Sequence, residues 1–112
     1  MSAQFVQDGR SIDYTPGGAV TAGDVVVQGD LVGIAKLDIA ASQLGALAIE
    51  GVYDFPKATG VGSGIAVGAI CYWDVADGQA KTDSEAGANK LIGKCIKTAA
   101  DADATVRIKL DQ

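Results

Sequence analysis

"GDVVVQGDLVGIAKL", residues 23–37, places three consecutive valines between two Gly-Asp pairs and then continues with Leu31, Val32 and Ile34. β-Branched runs bounded by turn residues are the composition of short strands joined by tight turns, since glycine accepts the positive φ such turns need. The pattern extends both ways. Upstream, "AQFVQDG" (3–9) and "SIDYTPGG" (11–18) are short extended pieces that end in turn residues. Downstream, "ALAIEGVYDF" (46–55) alternates, and "IAVGAICYWDVADGQAKT" (65–82) reads as a strand with a hairpin turn at Asp77-Gly78. "KLIGKCIK" (90–97) and "TVRIKLD" (105–111) follow, the latter putting Val106, Ile108 and Leu110 inward and Arg107 and Lys109 outward. "LDIAASQLG" (37–45) has helical composition with Asp38 as a cap, but at two turns at most it reads as a loop or single turn. Seven to nine short strands in about a hundred residues predict an all-β, single-domain β-barrel or β-sandwich. Residues 1–16 are an N-terminal arm or the first strands, and 17–112 are the body.

An internal echo runs through the chain. Residues 31–51 lie over 91–111 as strand, Ala-rich connection, strand, and "VTAGDVVV" (20–27) lies over "IAVGAICY" (65–72). The two offsets, 60 and 45, differ by 15 residues, which a longer hairpin around "DGQAKTDSEAGANK" would absorb. The echo predicts that 38–45 behaves like 98–104, as a connection.

With 112 residues the chain fits one domain, and its 15 glycines thin the core, so a partner subunit would add stability. The net charge is −5, and the densest basic group, Lys94, Lys97, Arg107 and Lys109, is spread by alternation along solvent faces. Nucleic-acid binding is not expected, because phosphate backbones call for clustered Lys and Arg. No apolar run reaches membrane-span length, and Asp8 and Arg10 break up the N-terminus, so neither a span nor a signal peptide is expected. Synthesis in a cytoplasm follows, with Cys71 and Cys95 read first as reduced, buried small hydrophobes.

The chain has no histidine, which removes the commonest general base and metal ligand. "GVGSGIAVG" (60–68) lacks the Lys-Ser/Thr pair of a phosphate loop and reads as a turn before a strand. Asp24, Asp30, Asp74, Asp77, Asp101 and Asp103 all fall in turns, where aspartates bind backbone amides. No catalytic residue, cofactor or metal ligand is expected. A carrier reading is the alternative: "AGDVVVQGDLVGIA" resembles the Gly-Asp double turn of biotinyl and lipoyl carrier domains, and "FPKATG" echoes their modified-lysine tip. In that family the lysine follows soon after the second Gly-Asp pair, whereas Lys57 lies 27 residues beyond Asp30.

From end to end the sequence resembles the small phage cement proteins. The resemblance rests on "AQFVQDGRSIDYTP", "AGDVVVQGDLVGIA", "GALAIEGVYDFPKATG", "VGAICYWDVADGQAKT" and "NKLIGKCIKTAADADATVRIKL", with "EGVYDFPKA" followed by "YWD" the most specific part. It implies an all-β structural decoration protein, not an enzyme, on the outer surface of an icosahedral phage head. The implied partners are the major capsid protein and, by analogy with other head decoration proteins, two further copies in a homotrimer.

Contact residues are expected in two places. The first is the N-terminal segment with Phe5, Val6, Ile12 and Tyr14, which either adds a strand to a capsid sheet edge or forms the first strands of the body. The second is "EGVYDFPKATG" (50–60), where Val52 and either Tyr53 or Phe55 face inward, Pro56 ends the ladder or marks an edge, and Lys57 is a surface or rim charge. Tyr53 and Phe55 share a face by alternation and are core or, if exposed, a subunit anchor. Trp73 alternates with Tyr72, so one ring points in and the other outward or into an interface.

Overall fold

Among the residues described by the computed structural model, 2–5 and 9–111, the expected alternation becomes nine strands. They are β1 (Ser11–Tyr14), β2 (Val25–Gln28), β3 (Leu31–Ala35), β4 (Gly45–Ala48), β5 (Gly51–Pro56), β6 (Ile70–Asp74), β7 (Gln79–Lys81), β8 (Lys90–Lys97) and β9 (Thr105–Leu110). All pairings are antiparallel, in one sheet ordered β1-β4-β3-β2 and another ordered β5-β9-β8-β6-β7. Among the described strands neither sheet closes on itself, so the architecture is a sandwich and not a closed barrel. The chain passes between sheets through Ile49 and Glu50, and Gly51 takes φ 124° at the corner, a conformation L side chains rarely adopt.

The echo read from the sequence is structural. With β7 set aside, both sheets have the same order within a four-strand unit: first, fourth, third, second. Matched hydrogen bonds recur at the two offsets. The Val20–Ile39 bridge is repeated by Ile65–Ala99. Gly23 N–H donates to Ala35 O as Gly68 does to Cys95 O, and Ala35 N–H donates to Asp24 O as Cys95 does to Ala69 O. Even a side-chain cap recurs: Ala22 N–H donates to Asp38 Oδ1 at 2.8 Å, and Val67 N–H to Thr98 Oγ1 at 3.1 Å. Residues 38–45 are a connection like 98–104, with Gln43 N–H to Ala40 O matched by Asp103 N–H to Ala100 O. The additional residues of the second unit form β7 and a short 3₁₀ turn (Glu85–Gly87) between β6 and β8.

The core lies between the inner faces. Val32, Ile34 and Ala48 of the first sheet meet Phe55, Trp73, Ile92, Cys95, Val106, Ile108 and Leu110 of the second. β9 alternates as its sequence requires, with Arg107 and Lys109 outside. Phe55 and Trp73 stack tilted, centroids 5.9 Å apart at 57°, an arrangement that suits the ring quadrupoles. Cys71 and Cys95 are free thiols in this core, and burial pushes the Cys71 thiol up to about 11. Val52 is a correction: it is 50% exposed, because alternation in β5 turns both Tyr53 and Phe55 inward.

β8 carries an additional residue, Ile92, opposite the Cys71–Tyr72 step, and another, Ile96, opposite the Ile108–Arg107 step of β9. At the first of these bulges a Cβ on Gly93 would overlap the carbonyl oxygen of Lys109. These bulges reset which side chains face which, and the outer face of the second sheet depends on them.

Candidate interaction surfaces

Three of the expected contact residues are core. Phe55 and Trp73 are buried against each other. Lys57 is also inside, at 4% exposure, which corrects its reading as a surface or rim charge. Its Nζ donates to Ala58 O at 2.7 Å and Asp103 O at 2.8 Å, with Ser63 Oγ and Asp101 O each at 3.5 Å. The ammonium is thus caged by two loops that are distant in sequence. A carrier lysine must reach out from a hairpin tip, so Lys57 does not fit that role, and the carrier reading loses its residue.

Asp101 closes the same cage from the other side. Its carboxylate accepts Gly64 N–H at 2.7 Å and Gly62 N–H at 3.2 Å, and these amides, with the Lys57 charge beyond them, hold its pKa below the ordinary value. Lys81 draws two carboxylates together across the β6–β7 hairpin, Asp74 at 2.7 Å and Asp77 at 2.6 Å. The Lys81 bond, then the amide of Asp77, lowers the Asp74 pKa, and the Arg107 guanidinium lowers that of Asp54. Each of these carboxylates is occupied by structural partners, which leaves none poised as an acid or base.

These shifts fix a pH dependence. Carboxylates whose folded pKa lies below 3.8 favour folding above that value, and the advantage is lost as pH falls through the folded values. Denaturant melts should therefore give a stability plateau from neutral pH down to about 5, then a decline below about 4. A stability that holds unchanged to pH 2 would contradict these ion pairs and caps.

The remaining expected residues that the structure describes reach the surface in whole or in part. Phe5 is 83% exposed, while Ile12 and Tyr14 are half-buried on β1, an edge strand that pairs only with β4. Tyr53 is half-buried against the core. Val6 lies outside the described residues. The sequence reading passed over Leu37 (75% exposed) and Leu44 (70%), which flank an apolar hollow with Ile39 beside the first sheet. Asp13 is the single charged residue in β1–β4, so the first sheet is nearly uncharged.

The second sheet's outer face is the opposite. Register places Val52, Lys109, Lys94 and Ile70 in one row across β5, β9, β8 and β6. Asp54, Arg107 and Lys97 form the next row, and Lys81, Tyr72 and Leu91 a third. The densest basic group is therefore gathered on one face, not dispersed. Arg107 Nε binds Asp54 Oδ1 at 3.0 Å, while Lys94, Lys97 and Lys109 have no ion-pair partner among the described residues.

No cluster of three or more His, Cys, Asp or Glu that could hold a metal ion occurs among the described residues. What the fold displays is the edge strand β1, a nearly uncharged sheet and a charged sheet. Comparison with protein families finds a match over residues 6–110 to the family described as "Phage cement protein". The chain belongs to the phage cement protein family. No curated protein and no solved structure matches it. Cement proteins are structural components of the phage capsid, and an all-β sandwich is consistent with that place.

Proposed function

We propose that this cement protein binds the outer surface of an icosahedral phage head, contacts the major capsid protein, and stabilises the shell as a self-associated, trimeric decoration. The family match across residues 6–110 carries this reading. The outer side of β1 supports it: among the described strands β1 pairs with β4, so the stretch Ile12–Tyr14 can extend a sheet on the shell through main-chain hydrogen bonds. Phe5, ahead of that edge and 83% exposed, supplies an aromatic anchor, and Ile12 and Tyr14 flank it. Many weak copies on a lattice bind tightly together, so a small contact per copy suffices.

Co-sedimentation with expanded empty heads tests it. The full chain should pellet with the shells, and a chain lacking residues 1–9 should fold with the same melting temperature yet bind about tenfold or more weakly. Failure of the full chain to pellet would defeat the proposal. Undiminished binding by the shortened chain would remove the arm from the contact and leave the β1 edge to carry it.

A further inference from the structure

We propose that the outer face of the five-stranded sheet docks against the acidic surface of a second copy of this chain, head to tail. The proposal rests on the self-association in the reading above and supplies its chemistry. Lys94 stands directly opposite Lys109, and Lys97 opposite Arg107. Like charges in directly opposed positions destabilise a strand pair, so folding alone gives no reason to keep them. Nor does the architecture require them. In the first unit, 60 residues earlier, Leu37 and Ile49 stand where Lys97 and Lys109 do, whereas Ile34 and Leu47, the counterparts of Lys94 and Arg107, are buried. The exposed basic rows belong to the second unit.

The balance of charge identifies the partner. This face holds Lys81, Lys94, Lys97, Arg107 and Lys109 against Asp54, Asp74 and Asp77, a net +2 on a chain whose total is −5, so the remainder of the molecule sums to −7. Two such faces repel each other, which rules out a two-fold contact through them. A face of +2 meeting a molecule whose remainder carries −7 is complementary, and a head-to-tail contact of this kind closes into a ring when its rotation permits. Exposed Val52 and Ile70 bracket the lysines and give the contact apolar area.

Charge reversal separates docking from folding. Lys94→Glu places a carboxylate opposite Lys109, so the melting temperature should hold or rise. In Lys94→Glu/Lys97→Glu, self-association measured by light scattering should fall by about tenfold or more. For the unaltered chain, association should weaken steeply as salt rises. A folded double variant that associates like the parent would overturn the proposal, as would a parent chain that stays monomeric at all concentrations. A double variant that still associates but no longer pellets with shells would also overturn it, because the face would then meet the shell. A parent chain that associates in this salt-dependent way but ignores shells would support this contact while defeating the decoration role.

Discussion

Gly93→Ala is expected to cost about 3 kcal/mol or more of folding free energy. The position lies where β8 bulges, and a methyl group there meets backbone on the neighbouring strand: the Lys109 carbonyl oxygen and the Asp111 amide. Backbone held in a sheet cannot rotate aside, so β8 and β9 must separate. Those strands carry Ile92, Cys95, Val106, Ile108 and Leu110, and their separation would open the main core. Gly33→Ala is the control, as the equivalent position in the first unit. There the added carbon meets Leu47 Cβ at 2.8 Å and Cδ1 at 3.1 Å, a milder overlap that a small shift of β3 against β4 relieves, and the cost should be about 1–2 kcal/mol, below that at Gly93. Urea denaturation of both variants measures the difference. Equal, small losses would show that the β8–β9 approach is slack and that the bulge does not need glycine.

Lys57→Met is the second large loss expected, again about 3 kcal/mol. Methionine fills a similar volume but donates no hydrogen bond, so the carbonyls of Ala58 and Asp103 lose their partner inside the protein. The loops at 58–64 and 101–104 are then held by the Asp101 and Ser63 side chains and by the main-chain bonds from Gly60 N–H to Asp101 O and from Lys57 N–H to Ala104 O, without the cation that draws them together. Hydrogen exchange at the Gly62 and Gly64 amides should accelerate even in folded molecules. A variant within 1 kcal/mol of the parent, with those amides still protected, would mean that the buried ammonium is incidental.

Alternation made β9 legible, and Asp77-Gly78 marked its hairpin because Gly78 must take φ 63°. The duplication was legible as two offsets, since equivalent turns need equivalent residues even where few side chains are shared. The interior position of Lys57 was not. Its acceptors come from residues 101 and 103, and local sequence does not say which distant carbonyls converge on a side chain. The basic face was hidden for a related reason: bulges at Ile92 and Ile96 set the register that brings lysines opposite one another, and an alternating pattern does not identify neighbouring strands. Sequence could say that one of Tyr72 and Trp73 points inward. The partner Phe55, 18 residues earlier and on another strand, decides that it is Trp73.

The central claim is that this chain works by fitting against the proteins of a phage head. Expanded heads lacking it should be incubated with the purified chain and imaged by electron cryomicroscopy. Added density at regular lattice positions on the exterior, with the β1 edge against the shell, is the expected result. Bare heads at saturating protein, or density confined to the interior, would contradict the account.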